Sequence, residues 1–326
     1  MSALQYVSTS HSVARRKRKN TPLAAAIDVG SNAMRFAIGG IARDGSLEVM
    51  ESGREAISLG RSVFDGGEIS SRTLQASCVA FRKFKDAIDE FEVESLRAVG
   101  TSALREATNQ REFCEAILQA SGIAVDVISG DEEAALIRDA VITAMSLRDE
   151  DALLLDIGGG SIELSLLSRG ALLFSVSERM GAVRLLKRIA KSEESGEAFG
   201  RLVRHSIGVF LGGLDRSILP KKIDIFAGTG GNIEALGDLR LQIFEKRNPR
   251  KIKVAELEQM VEILLKLSYR ERIQRFGLRE DRADVIVPGA IVLLEVMKYA
   301  GVSDVRIPKV GLREGVLRKL LTKSAG

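Results

Sequence analysis

The chain has 326 residues, long enough for two domains, and its 45% apolar and 28% charged residues describe an ordinary globular protein rather than a disordered or fibrous one. The formal charge of +4 is mild; two distant cysteines, Cys78 and Cys114, exclude a disulfide framework and a thiolate metal site, and two histidines, His11 and His205, exclude a histidine-rich metal centre and argue against a Ser-His-Asp triad. No apolar run reaches membrane-spanning length and residues 1–21 lack the apolar core of a secretory signal, so the expected compartment is the cytoplasm, with no membrane partner.

Residues 1–21 are polar and basic, with the run Arg15-Arg-Lys-Arg-Lys19, and are expected to form a disordered tail. No aromatic residue is interleaved with that run, so no nucleic-acid partner is expected. Thr21-Pro22 introduces a first strand, Leu23–Ile27, followed by Asp28-Val-Gly-Ser-Asn-Ala-Met-Arg35 and an alternating stretch through Ile38. Residues 41–70 read as a third strand with turns at Arg43-Asp-Gly45 and Asp65-Gly-Gly67. Ser70 or Ser71 caps a predicted helix over about 73–91, whose Leu74, Cys78, Phe81, Phe84 and Ile88 follow helical spacing. A strand, Leu96–Val99, ends in Gly100-Thr-Ser-Ala-Leu-Arg105; a helix over 110–121 and a strand over 124–128 follow, giving an α/β alternation.

The stretch Ser129-Gly-Asp-Glu-Glu-Ala134 opens a helix, and Ser129 with Glu132 has capping-box spacing, which explains Glu132 structurally. Glu133 faces another direction, beside a strand end where α/β sites form, and is either a site residue or a further first-turn acid that suits the helix dipole. Next comes Leu153-Leu-Leu-Asp-Ile-Gly-Gly-Gly-Ser-Ile-Glu-Leu-Ser-Leu-Leu167: an apolar strand, an acid, three glycines, then a strand with Ile162, Leu164 and Leu166 on one side and Glu163 and Ser165 on the other. Alone it fits either an ordinary hairpin or a loop that turns backbone N–H groups toward a phosphate, with Asp156 placed to hold a divalent cation or a water. The same device occurs 128 residues earlier. Ala26-Ile-Asp28-Val-Gly30 matches Leu154-Leu-Asp156-Ile-Gly158, with Ser31 and Asn32 against Gly159 and Gly160. Such a repeat predicts two similar domains, each led by an acid-tipped hairpin.

Further on, Ala171–Val176 reads as a strand, and basic helices are predicted from Gly181 to about Lys191 and over about 196–214. A buried strand, Ile223–Ala227, runs into Gly228-Thr-Gly-Gly-Asn232, a third glycine turn that either contacts a phosphate or nucleoside or serves close packing. Helices over about 255–267 and 269–276, a mostly buried helix over 283–298, a short strand at Val305–Ile307 and a final helix led by Gly311 complete the pattern, with a domain boundary near 138–151. Arg184, Lys187, Arg188, Lys191, Arg201 and Arg204 form one basic group, and Lys246 to Lys253 another; together such groups favour polyanions, while any one of them alone is read first as a solvated face.

Five stretches, Ala26–Asn32, Gly100–Ala107, Ile128–Ala134, Leu155–Ser161 with Glu163, and Gly311–Val316, together with Gly228-Thr-Gly-Gly and Val287-Pro-Gly-Ala290, are similar to the exopolyphosphatase and guanosine pentaphosphate phosphohydrolase (Ppx/GppA) family, in order and over nearly the whole chain after residue 22. The resemblance implies an α/β fold of two actin-like domains (ribonuclease H-like, the sugar kinase and Hsp70 superfold) flanking a cleft. Domain I would cover 22–137, domain II 138–310, and the C-terminal helix 311–326 would pack back on domain I. It further implies that Glu133 is the catalytic base toward water, and that Asp156 and Glu163, with Asp28 as their counterpart in the first domain, organise Mg²⁺ (or Mn²⁺). Ser31, Asn32, Arg105, Gly158, Gly159, Gly160 and Ser161 would hold phosphoryl oxygens, joined by the glycine turn at Gly228 and Gly230. The implied activity is release of terminal orthophosphate from inorganic polyphosphate, with the basic groups as a polyanion track. Guanosine pentaphosphate hydrolysis and non-catalytic binding of polyphosphate or an alarmone are the alternatives. A homodimer, and a short form without the extra C-terminal helical domains of longer relatives, are also implied. The chain departs from the family pattern at Ala33, where a Ser is usual, at Ile162, where Thr is frequent, and at Glu55-Ala-Ile-Ser58, which lacks an arginine often found there.

Overall fold

In the computed structural model residues 22–190, 196–215 and 222–323 are described. The expected tail at 1–21 and Lys191 of the basic group lie outside them. Strands β1 (Ala24–Val29), β2 (Met34–Ile41) and β3 (Leu47–Glu55) form an antiparallel meander. Helices α1 (Gly60–Gly66) and α2 (Ser71–Asp89) precede β4 (Ser95–Gly100); α3 (Ser102–Glu106) and α4 (Gln110–Ser121) precede β5 (Val125–Val127). β4 and β5 add in parallel on the other side of β1, giving the order β3-β2-β1-β4-β5. Helix α1 lies where the sequence reads as strand and turns. It is one short segment with Val63 and Gly60 as its buried residues, too short for a periodic signal, and it ends at Gly67 in the left-handed region.

Helix α5 (Gly130–Met145) leads into a second sheet. Its elements are β6 (Ala152–Ile157), β7 (Ile162–Ser168), β8 (Ala171–Glu178), α6 (Ala182–Ala190), α7 (Gly196–Gly212), β9 (Ile225–Thr229), α8 (Gly231–Phe244), β10 (Lys251–Lys253), α9 (Val254–Lys266), α10 (Tyr269–Phe276), α11 (Glu280–Ala283), α12 (Ile286–Ala300) and β11 (Asp304–Arg306), followed by α13 (Leu312–Lys323). The strand order is β10-β11-β9-β6-β7-β8. Taken from the β8 edge, this repeats the first sheet: a three-strand meander, then parallel strands beside its first member. Among the described residues no helix is long and apolar enough to cross a membrane.

The alternation along each leading strand assigns its two faces to different cores. In β1, Ala25, Ile27 and Val29 join Phe81, Phe84, Phe113 and Ile117 from α2 and α4, while Ala24 and Ala26 face the other way. In β6, Leu153, Leu155 and Ile157 pack with α8, α9 and α12, while Ala152 and Leu154 turn back. The two back faces share one core, filled by Leu136, Ile137 and Val141 of α5 and by Leu312, Val316, Leu317 and Leu321 of α13. Alanines at 24, 26 and 37 let α13 lie close on β1 and β2. Each fully buried aliphatic side chain there contributes about 1.5–3 kcal/mol. At the α5–α13 crossing Gly315 has no room for a side chain, because an added Cβ would overlap the Leu136 carbonyl.

Candidate active site

The two hairpins meet across the cleft. Each has the same turn: Gly30 N–H donates to Ala33 O at 3.1 Å, and Gly158 N–H donates to Ser161 O at 3.0 Å. Their tips touch, since an added Cβ at Gly159 would lie 2.9 Å from Ser31 Cβ. Between them is a polar cavity of about 120 Å³, bordered by Asp28, Ser31, Asn32, Glu133, Asp156, Gly158, Gly159, Gly160, Ser161 and Gly230 among others.

The carbonyls of the second loop are occupied from behind. Gly158 O accepts from Ala182 N–H (3.0 Å), Gly159 O from Val183 N–H (2.9 Å), and Gly160 O from Gly181 N–H (3.1 Å) and from Arg184 Nε (2.8 Å). Every peptide here is trans. The N–H groups of Gly159, Gly160 and Ser161 therefore point away from α6, a concave run of donors suited to an anion. In the first loop Ser31 O accepts from Gly60 N–H (2.8 Å) and Ser58 Oγ (3.0 Å), which turns the Asn32 N–H the other way.

Register places the charged groups. Directly opposed residues form a row across each sheet, with their side chains on one face. In the second sheet the row is Thr229, Asp156, Glu163, Ser177. In the first it is Val99, Asp28, Arg35, Arg54. The duplicated hairpins thus share a backbone but carry opposite charge: two carboxylates in one row, one carboxylate and two guanidiniums in the other. Arg35 occupies the position of Glu163 and sits 3.6 Å from Asp28 Oδ2.

Glu133 projects from the first turn of α5, where Ser129 Oγ accepts from Glu132 N–H at 3.1 Å. The reciprocal half of the expected capping box is not made. Glu132 instead takes Arg97 Nη2 at 2.9 Å, a charged donor that outcompetes the backbone. Glu133 accepts from Arg105 Nη1 at 3.2 Å, and the same nitrogen donates to Ile128 O at 2.6 Å, so Arg105 reaches the site through Glu133 rather than by bordering the cavity. Burial, then the Glu163 charge, pushes Glu133 well above the ordinary carboxylate range, against the pull of Arg105. Burial likewise lifts Asp156 to about 6, against a 2.5 Å bond from Thr229 Oγ1, and lifts Glu163 to about 7, with Asp156 adding to the rise. Asp28 is raised by burial and held back first by Arg35.

Gly228 does not reach the cavity. It pairs with Leu155 inside β9, and a side chain there would point at Ile233 and Val305 in the second-domain core. Strand alternation turns its neighbour Thr229 to Asp156, while Gly230, at φ +95°, borders the cavity. Ile162 also faces the core, so its departure from the family pattern concerns packing. Ala33 is buried at the cavity wall.

Sequence reasoning missed a cationic flank. Arg282 is 6% exposed; its Nη1 donates to Asn232 Oδ1 at 2.6 Å, and its Nε is buried without a partner. Burial, then Arg35 and Arg54, lowers it to about 9. Arg54 pairs with Asp281, whose carbonyl accepts from Asn32 Nδ2 at 2.9 Å. The repeat itself would have flagged Arg35, the residue at the register position of Glu163; Arg282 has no comparable signal. Of the basic group after Gly181, Arg184 turns into the cleft mouth, over the Phe64 ring (3.9 Å) and onto Glu106 (2.5 Å), and Arg204 pairs with Glu295 at 3.4 Å.

Two carboxylates, Asp156 and Glu163, lie side by side with Glu163 Oε2 buried and unpartnered. Among the described residues no group of three or more His, Cys, Asp or Glu side chains is arranged to hold a metal. A pair of oxygen donors fits Mg²⁺, which commonly takes one or two carboxylates and completes its shell with waters and substrate phosphates.

Two sheets of one topology, meeting through paired glycine loops, define a two-domain, actin-like α/β protein with a polar cleft between the loops. The chain belongs to the Ppx/GppA phosphatase family, whose pattern matches residues 41–324. It is 26% identical to a guanosine-5'-triphosphate,3'-diphosphate pyrophosphatase of Vibrio vulnificus over 93% of this chain and 60% of the relative, so it spans about three fifths of that protein. It is also 26% identical to a Haemophilus influenzae protein provisionally named an exopolyphosphatase, over 94% of this chain and 93% of the relative. Among solved structures, an exopolyphosphatase from Cytophaga hutchinsonii superposes with a TM-score of 0.84 at 25% identity, covering 92% of this chain and 98% of that one. A family member from Aquifex aeolicus superposes with a TM-score of 0.77 at 25% identity, covering 94% and 100%.

Proposed function

We propose that this chain is a metal-assisted phosphohydrolase that releases terminal orthophosphate from inorganic polyphosphate, with Glu133 as the base toward the attacking water. The observation that carries the reading is Glu133 itself: a carboxylate buried at a helix N-terminus, next to two glycine loops and a carboxylate pair, with its proton affinity raised by burial. A base of raised pKa accepts a proton from water more readily at neutral pH. Arg105 holds one Glu133 oxygen and leaves the other for the water. The N–H groups of Gly159, Gly160 and Ser161 receive the oxygens of the phosphoryl group under attack, and Arg35 and Arg282 meet the phosphates that follow. This division suits a reaction that depends on positioning and charge neutralisation. Mg²⁺ held by Asp156 and Glu163 would supply further neutralisation of the phosphoanhydride oxygens.

The narrow cavity favours a chain of phosphates. Pockets for drug-sized ligands occupy about 300–1,000 Å³, well above the 120 Å³ here, so a guanosine would sit outside. Hydrolysis of guanosine pentaphosphate is the second reading, favoured by the activity named for the Vibrio vulnificus relative. Phosphate release from both substrates with Mg²⁺, compared for the wild type and Glu133→Gln, tests the proposal. Loss of about 10²- to 10⁴-fold in kcat, with substrate still bound, is expected for removal of a general base. Equal rates in the two proteins remove Glu133 from the chemistry, and tight binding without turnover in the wild type makes the protein a sensor instead. Faster turnover of guanosine pentaphosphate than of polyphosphate selects the second reading.

A further inference from the structure

The second-sheet row has more in it than two acids. Its ends are hydroxyls. Thr229 Oγ1 donates to Asp156 Oδ1 at 2.5 Å, and Ser177 Oγ donates to Glu163 Oε1 at 2.8 Å. Each bond occupies one oxygen of its carboxylate. On Glu163 the other oxygen, Oε2, is buried and has no hydrogen-bond partner. Thr229 and Ser177 are themselves fixed by ladder register on β9 and β8, so neither carboxylate can rotate to present the other edge without losing its donor. The first sheet lacks this arrangement. The residue beside Asp28 is Val99, which has nothing to donate, and the residue opposite is a guanidinium.

We propose that Thr229 and Ser177 are positioning residues that turn Asp156 and Glu163 into a divalent-cation site, and that this site is one-sided, Asp28 serving Arg35 rather than the cation. The inference rests on the phosphohydrolase reading for its cation. Hydrogen bonds to ligating carboxylates fix their orientation and tune their basicity. A hydroxyl on one oxygen of each carboxylate also opposes rotation of the pair when no cation is bound, so that the same oxygen of each stays available. Without the two hydroxyls the carboxylates are still present, but their free oxygens are no longer held together.

The test uses the intact protein and Mn²⁺ as probe, with binding read from the electron paramagnetic resonance signal of free Mn²⁺. Thr229→Val and Ser177→Ala each weaken Mn²⁺ binding by about 10- to 100-fold, while Thr229→Ser and Asp28→Asn stay within about threefold of wild type. Thermal melts of the same samples separate folding from binding. Mn²⁺ affinity unchanged in Thr229→Val and Ser177→Ala overturns the proposal, including the case where their melting temperature falls. Failure of Thr229→Ser to restore binding overturns it too, since the hydroxyl is then not the operative group. Weakened binding in Asp28→Asn overturns the one-sided site. A wild type that hydrolyses polyphosphate yet binds no Mn²⁺ sinks this inference and leaves the general-base reading standing. A wild type that binds Mn²⁺ with the expected variant effects, yet releases no phosphate, sinks the hydrolase reading alone.

Discussion

Glu163 is 4% exposed and its pKa is raised to about 7, with Asp156 beside it raised to about 6. Both folded-state values lie above those of the unfolded chain. Their stabilising effect is therefore complete below about pH 4 and is lost as the pH rises through 6 to 7, where the folded protein must carry buried charge. Metal-free protein should therefore melt at lower temperature near pH 8 than near pH 5.5, and saturating Mg²⁺ should remove most of that difference, since a bound cation favours the ionised pair. Identical melting temperatures across this range, with or without Mg²⁺, contradict the assignment of the pair. Glu133, Asp156 and Glu163 stand out in the sequence because each sits in a short local pattern, but only the family resemblance attaches roles to them. Thr229 and Arg282 do not stand out: Thr229 meets Asp156 only through the β6–β9 pairing, 73 residues apart, and Arg282 meets Asn232 only where α11 passes the start of α8.

At the scale of elements, α5 connects fold to chemistry, since its first turn holds Glu133 and its body passes under α13. Ser129→Ala should cost about 1 kcal/mol in denaturant melts through the lost cap, and should lower kcat as well, because the cap sets where Glu133 begins. A stability loss with unchanged kcat separates the cap from the chemistry. The crossing at Gly315 is less forgiving. Gly315→Leu forces the two helices apart and should cost about 1–3 kcal/mol, the usual penalty for overpacking. Strand periodicity made both hairpins readable, and the alternation along β7 separated Ile162, Leu164 and Leu166 from Glu163 and Ser165 on the opposite face. It could not show that Gly228 faces Ile233, because a glycine has no side chain to reveal its face. Helix α1 leaves no signal in the sequence since one short turn carries no period, and capping-box spacing alone does not reveal that Glu132 turns to Arg97, 35 residues away.

Across the whole molecule, ion pairs bridge the two halves on either side of the cleft. Arg54 pairs with Asp281 and Arg61 with Asp284 on one side; Glu106 pairs with Arg179 and Arg184 on the other. Arg61 and Arg179 are largely exposed, and such pairs contribute little. Arg184 and Glu106 are only 15% and 22% exposed, and Arg184 also bonds the Gly160 carbonyl. Glu106→Gln should therefore populate a more open form, read as a larger radius of gyration in solution scattering and as raised KM. A scattering curve unchanged from wild type shows that the shared core at α5 and α13 holds the domains together without the pair. The two-domain plan was legible from the repeat. The closing contacts were not, because each joins residues from different halves of the chain.

The opposed rows, Val99-Asp28-Arg35-Arg54 and Thr229-Asp156-Glu163-Ser177, have one more consequence. A string of identical phosphate units looks the same from either end, so nothing in it tells an enzyme which way to travel. Two hairpins of the same shape would not tell it either. Where the second sheet has Glu163 and Ser177 the first has Arg35 and Arg54; on the polyphosphate reading proposed above, this difference gives the duplicated fold a compass, in which the guanidinium wall would draw the body of the chain and the carboxylate wall would accept only an end that arrives with its own counter-charge.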